Sequence, residues 1–498
     1  MTQYRFLPIL ILLVASSCRA ESPRQWYRDG REAVQRAKAY RPLTDRARNV
    51  ILFIGDGMGM STVTAARILD GQQHGRSGEE GYLSFEQFPN TALIKTYNTN
   101  QQVPDSAGTM SAIMTGIKTN AGVISVNQNT IRGDHRSARG NESTTLIELA
   151  ERAGLATGIV TTTTVTHATP AACYAHCADR YWESVSALPL SARRDGVADI
   201  ARQLIEFSDG DGLEVVLGGG RRHFMTTEQA DVEDPTLLGA RDDGRDLIKE
   251  WEAQPGARYV WNQTQFDRID ASRTRRLLGL FEYKSMHYAH DRPSDVAGEP
   301  TLAEMTAKAI DILASRDRGY FLMVEGARID HAHHENNAFR ALTDTIAFSD
   351  AVAAAVEKTD PLETLIIVTA DHSHVFTIGG DTTRGNPILG KVVLNDPSGA
   401  PRPTPALDLT GYPYTTLSYG DGPGFPKNPQ ARNLTEVDTE DPDYVQTAAV
   451  PLLYDTHGGE DVPLYARGPH AYLFHGVMEQ NVIFHVMTEA LGLEPQFD

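Results

Sequence analysis

An α/β fold, with a large, mostly parallel central sheet and helices on both faces, is predicted by three features of this 498-residue chain. Short β-branched apolar runs alternate with helical patterns, as in chains that wind a parallel sheet. The runs are apolar on both faces, as strands covered by helices on each side must be. Ligand-type side chains recur just after those runs, where loops converge in parallel-rich sheets.

The N-terminal stretch, MTQYRFLPILILLVASSCRAES, has one early cation, an apolar run from Phe6 to Ala15 and then small residues. That is the form of an export signal, and residues 1–20 are assigned to it. The run is shorter than the roughly 20 residues that a spanning helix needs. VASSC is similar to a bacterial lipobox, so cleavage before Cys18 with a lipid anchor there stands beside ordinary cleavage near Ala20. RQWYRDGREAVQRAKAY predicts a helix outside the main alternation. Strands are predicted at 49–55 (NVILFIG), 156–164 (ATGIVTTTT), 213–218 (LEVVLG), 320–326 (YFLMVEG) and 364–371 (TLIIVTAD). STVTAARIL, STTLIELAERAG, TLAEMTAKAIDILAS and ALTDTIAFSDAVAAAVEK supply the intervening helices. After about residue 379 Gly and Pro become dense, which marks 380–444 as an inserted loop-rich subdomain. VPLLYDTHGGEDVPLYARGP then returns to the sheet, so the catalytic α/β domain comprises 21–379 and 445–498.

Composition narrows the function. With 41% hydrophobic and 22% charged residues the chain is an ordinary globular protein. A net charge of −19 argues against nucleic acid as a specific partner, because phosphate backbones require clustered cations. A small anionic substrate stays compatible, since bound divalent cations reverse a local field. In an exported protein, Cys173 and Cys177 of CYAHC read first as a local disulfide and second as a metal pair.

The strand ends carry the chemistry. Asp56 comes after the first, His167 and Thr169 after the second, Glu325 lies at the end of the fourth, and Asp371 and His372 close the fifth. A lone strand-end Asp is often a helix cap; four such ends suit one metal-binding region. VEGARIDHAHHENN adds three histidines within four positions. A solvated polar helix face is the plain alternative there. On a helix, Asp330 and His334 share one side and can hold one zinc with His457 of DTHGGED as third ligand. His331 and His333 cannot both join that face. Asp371, His372 and Asp56 can hold a second zinc, and Glu325 suits a harder cation such as magnesium. Ser106 in VPDSAGTMSAIMTG opens a helix, where backbone N–H groups favour anions; it is a simple cap or a nucleophile.

Taken together, FIGDGMG, VPDSAGTMSA, TTTTVTHATPAACYAH, VEGARIDHAHHE, TADHSHVF and THGGEDVPLYARGP resemble the ordered motif set of the alkaline phosphatase family, nearest its animal-type branch. The resemblance runs from about Gln25 to about residue 490. It implies hydrolysis of phosphate monoesters with Ser106 as the phosphorylated nucleophile and Arg180 as the phosphate clamp. It implies two Zn2+, one on Asp330, His334 and His457 and the other on Asp56, Asp371 and His372, and one Mg2+ on Asp56, His167, Thr169 and Glu325. It also implies a Ca2+ site near Glu233, the Phe281 carbonyl, Glu282 and Glu299, a crown-like role for 380–444, and a homodimer. Thr169 stands where many members have serine, and Glu299 where an aspartate is expected. A phosphodiesterase or sulfatase of the same superfamily, and a non-catalytic zinc-binding protein, are the alternatives; a Ser with an Arg clamp and a magnesium set favours monoesters. Export places the mature protein in a periplasm, outside the cell, or on a membrane through Cys18.

Overall fold

The computed structural model describes residues 22–494. The expected export signal, 1–20, and Cys18 lie outside these residues. The chain forms two compact units, Met1–Pro42 and Leu43–Asp498. The first contains the helix Pro23–Ala39, capped by Ser22, whose hydroxyl accepts from the Gln25 N–H. Among the described residues no helix is long and apolar enough to cross a membrane.

In the second unit the strands, in chain order, are β1 Asn49–Gly55, β2 Asn90–Lys95, β3 Ala156–Thr164, β4 Val215–Gly219, β5 Ala257–Val260, β6 Arg276–Leu280, β7 Tyr320–Gly326, β8 Thr364–Ala370, β9 Ser373–His374, β10 Phe376–Ile378, β11 Leu417–Gly422, β12 Ala448–Pro451, β13 His457–Gly458, β14 Val462–Arg467 and β15 Val477–Glu479. Ten form the main sheet, in the order β15-β2-β14-β8-β1-β7-β3-β4-β6-β5. From β8 through β5 every neighbour is parallel; β14 runs antiparallel to both β8 and β2. The α/β class is thus observed, with one antiparallel strand threaded into a parallel sheet.

The central strands are buried at nearly every position, as their apolar runs require: β7 and β8 are buried throughout. Helices cover the sheet. Leu302–Leu313 packs against β3 and β7, and Ala338–Lys358 packs against Leu302–Leu313. The sequence sets their starts: Thr301 and Glu304 form a reciprocal capping box, satisfying backbone N–H groups that the first turn leaves open.

Strands β2, β5, β6 and β15 escape the sequence reading. β15 and β5 are short edge segments, and β2, one place in from β15, is half exposed; none has a long apolar run. The inserted segment 380–444 contributes β11 to a small sheet, β10-β11-β12, whose other strands lie outside those boundaries. It is therefore tied by main-chain pairing to the segments that precede and follow it.

Candidate functional site

The four strands β8, β1, β7 and β3 are consecutive neighbours in the sheet, so their C-terminal ends share one edge. Register sets the levels. Gly55 pairs with Ala370, which puts Asp56 beside Asp371, while Glu325 pairs with both Ile54 and Thr161. The turn after β1 needs glycine at 57: its φ is +68°, and a Cβ there would lie 2.5 Å from the His374 ring.

Three groups of ligand-type side chains gather at this edge. In the first, Asp330 Oδ1 lies 3.3 Å from His334 Nε2 and 3.5 Å from His457 Nε2, and the two Nε2 atoms are 3.3 Å apart. His334 Nδ1 donates to the Asp455 carbonyl and His457 Nδ1 to the Pro104 carbonyl, each at 2.7 Å. With the proton on Nδ1, both Nε2 lone pairs face the same point, which suits a cation. In the second group, His372 Nε2 lies 3.2 Å from Asp371 Oδ2, 3.4 Å from Asp56 Oδ1 and 3.1 Å from Ser106 Oγ. In the third, ligand atoms of Asp56, His167 and Glu325 lie within 4.8 Å of one another, and the Thr169 hydroxyl sits beside Glu325.

Both Asp56 oxygens, His167 Nδ1, Thr169 Oγ1 and Glu325 Oε1 are buried without a hydrogen-bond partner. Unpaired buried polar atoms are costly, and here they gather at one place. Burial, with Asp371, Asp330 and Glu325 alongside, holds Asp56 well above the usual carboxylate range. Burial pushes Glu325 up to about 8 and Asp371 up to about 6. Burial also lowers His167, His372 and His457 to about 4, so these rings are neutral near pH 7. Crowded carboxylates beside neutral imidazoles form a site that divalent cations fit.

Ser106 begins the helix Ser106–Thr115, and Asp105 caps it by accepting from the Gly108 N–H. The second oxygen of Asp105 takes Arg180 Nη1 at 3.0 Å, and Arg180 Nη2 lies 3.3 Å from His167 Nε2. The candidate nucleophile and candidate clamp are thus linked through one carboxylate.

The remaining histidines divide as their helix spacing requires. His333 turns away, with Nε2 2.9 Å from the Thr62 hydroxyl and Nδ1 2.8 Å from the Tyr419 hydroxyl. His331 meets the edge of the His167 ring at 5.7 Å between centroids. Sequence reasoning missed His374, whose Nε2 lies 2.7 Å from Asp330 Oδ1 and Nδ1 2.8 Å from Asp455 Oδ2. Burial, reinforced by Asp421, raises Asp455 to about 9. Protonated Asp455 therefore donates to His374 Nδ1, and His374 Nε2–H donates to Asp330. The signal was present in TADHSH: on an extended segment, positions 372 and 374 face the same way.

Away from this centre, Glu282 and Glu299 meet His287 and Asp295, with ligand atoms within 4.8 Å of one another. Glu233 reaches Arg221 Nη2 at 2.7 Å, yet its Oε1 is buried without a partner, as are Asp295 Oδ2 and Glu299 Oε2. His287 and Asp295 are members that the sequence reading did not include. The expected local disulfide is not formed. Cys173 and Cys177 are separate buried thiols, and the turn of backbone between them directs each to its own carbonyl, Thr169 and Asp179 respectively.

The model of the alkaline phosphatase family matches residues 47–493. The chain is 45% identical over 98% of its length to the tissue-nonspecific alkaline phosphatase of Gallus gallus, covering 94% of that protein. It is 43% identical to an alkaline phosphatase of Gadus morhua, covering 94% of this chain and 97% of that one. Among solved structures, alkaline phosphatase of Thermus thermophilus aligns with a TM-score of 0.65 at 27% identity, over 91% of this chain and 93% of that one. These likenesses support the phosphatase reading over the diesterase and sulfatase alternatives. Fold, ligand groups and near-full-length identity agree, and the chain belongs to the alkaline phosphatase family and is a phosphatase.

Proposed function

We propose that this phosphatase hydrolyses phosphate monoesters through a phosphoserine at Ser106, in a site holding two Zn2+ and one Mg2+. Asp330, His334 and His457 would hold one zinc, Asp56, Asp371 and His372 the other, and Asp56, His167, Thr169 and Glu325 the magnesium. The partnerless buried atoms of Asp56, His167, Thr169 and Glu325 support the magnesium set, and the close approach of the ligand atoms of Asp330, His334 and His457 and of Asp56, Asp371 and His372 supports the zinc sets. Bound divalent cations supply Lewis-acid charge, which makes a hydroxyl nucleophilic near neutral pH and stabilises a departing oxygen.

The chain's own residues do the rest. Ser106 Oγ is nearly buried at a helix start, where backbone N–H groups favour the developing negative charge of a phosphoryl group. Arg180, held by Asp105, presents a planar fork to two nonbridging oxygens. Burial of the surrounding imidazoles and carboxylates keeps bulk water from competing for those contacts.

The observation that carries the reading is the position of Ser106 Oγ, 3.1 Å from His372 Nε2 inside the ligand groups. Ser106→Ala should lower hydrolysis of a chromogenic monoester on the order of 10³-fold or more, with zinc and magnesium present. Full retained rate, or preference for the matching diester, would overturn it. The cluster of Glu282, His287, Asp295 and Glu299 beside Glu233 and Phe281 is proposed to take Ca2+; elemental analysis of the purified protein that finds no calcium removes this assignment. Export and a homodimer complete the proposal, the latter supported by Trp26, Tyr27 and Val34 exposed on the helix Pro23–Ala39, and sedimentation reads it directly.

A further inference from the structure

Arg328 and His331 lie on one helix, Arg328–His334, three positions apart and therefore on one side. Arg328 Nη1 is 2.8 Å from His331 Nδ1. A guanidinium carries donors and no acceptor, so Nδ1 must supply a lone pair. A ring that accepts at Nδ1 bears its proton on Nε2. Among the described residues, that Nε2 has no hydrogen-bond partner within the protein, and the ring sits against His167, which in turn lies beside Arg180.

Arg328 is itself held. Its guanidinium stacks on the Tyr288 ring at 3.6 Å, a contact that fixes the plane of the fork. Its backbone N–H donates to the Thr162 hydroxyl at 3.2 Å, and the carboxylate of buried Asp344 faces its charge. The side chain that sets the imidazole is therefore locked from a second direction.

We propose that Arg328 is a positioning residue for phosphoryl recognition: by occupying Nδ1 it fixes His331 as the Nε2–H tautomer, leaving a free N–H donor on the ring that packs against His167, the neighbour of Arg180, for a phosphate oxygen. This rests on the reading of Arg180 as the phosphate clamp. It gives Arg328 a role in affinity for the phosphoryl group, without contact with the substrate.

The test uses the metal-loaded enzyme and reads kcat and KM for a chromogenic monoester and the inhibition constant of inorganic phosphate, with zinc content measured for every variant. Arg328→Met should raise KM and the phosphate constant about tenfold while changing kcat little, because one hydrogen bond to a charged group is lost. Arg328→Lys, which keeps a donor, should stay within about twofold. In a His331→Ala background, Arg328→Met should add almost nothing, as expected of residues acting through one contact. Effects that multiply in the double variant, or an unchanged phosphate constant in Arg328→Met, overturn the proposal. Should Arg328→Met not fold, Arg328→Gln is carried through the same cycle. An Arg180→Ala enzyme with unaltered phosphate affinity would instead refute the clamp, a separate outcome.

Discussion

Asp105 serves Ser106 and Arg180 at once: one carboxylate caps the helix that begins at Ser106 and accepts from Arg180 Nη1 at 3.0 Å. Burial raises the Asp105 pKa, but Arg180 and the N–H groups of Gly108 and Gly122 hold it below the usual carboxylate value. Replacing it by Asn keeps a helix cap and removes the charge that restrains the guanidinium. Asp105→Asn should therefore raise KM and the phosphate inhibition constant on the order of tenfold, with kcat rising where release of phosphate limits turnover. Unchanged phosphate inhibition would show that Arg180 is positioned by something else.

Asp455 holds His334 of the first ligand group through its carbonyl and His374, which donates to Asp330 of that group, through its carboxyl group. Loss of such an outer contact weakens metal affinity about 10- to 100-fold. Asp455→Ala should show this in competition with a zinc chelator. Asp455→Asn, whose amide N–H can still donate to His374 Nδ1, should stay close to the parent. Equal zinc retention in all three proteins would remove the role.

Thr169 offers its hydroxyl beside Glu325 with no other partner in the protein. Thr169→Ser keeps that oxygen and should leave magnesium stimulation within about twofold of wild type. Thr169→Val fills the same volume without an oxygen and should abolish the stimulation. Since Val cannot hydrogen-bond, burying it opposite Glu325 also leaves the carboxylate poorly matched. Stimulation surviving in the valine variant would remove Thr169 from the magnesium set.

A pH effect is expected far from the site. Glu151 and Glu214 meet at Thr157: the Thr157 hydroxyl donates to Glu151 and its N–H to Glu214. Burial raises Glu151 to about 7 and Glu214 to about 8. For acids with raised folded values, the stability they confer is fully present below the unfolded value near 4.5 and lost as pH rises through 7 to 8. Glu214→Gln, neutral at every pH, should therefore gain stability over wild type as pH goes from 5 to 9, on the order of a few kcal/mol at about 1.4 kcal/mol per unit. Thermal melts that differ by the same amount at both pH values would contradict it.

The sheet's centre was legible because its strands are long, apolar on both faces and trailed by ligand-type residues. The flank was not, because segments such as Asn90–Lys95 hold only three consecutive apolar residues between polar ones, one of them exposed, like many surface stretches. At the site, Asp56, His167, Thr169, Glu325, Asp371 and His372 could be named from strand ends, and Asp330 and His334 from helix spacing, whereas Asp455 and His374 needed three-dimensional proximity: nothing in DTHGGED says that its aspartate faces a histidine 81 positions earlier. The disulfide expectation failed for a related reason. Spacing of two thiols does not reveal that each sulfur is aimed at a different carbonyl.

His457 reaches the first ligand group through a two-residue ladder, β13 against β9, just before β14 threads into the sheet beside β8. Its partners Asp330 and His334 are made more than a hundred residues sooner. A polypeptide leaving the ribosome, or crossing a translocation pore, with its N-terminus leading cannot complete that group until almost its whole length has emerged. Completion of the first ligand group is thereby a late event in biogenesis, and a chain truncated before Thr456 would lack its third member even with every residue of the other two groups already made.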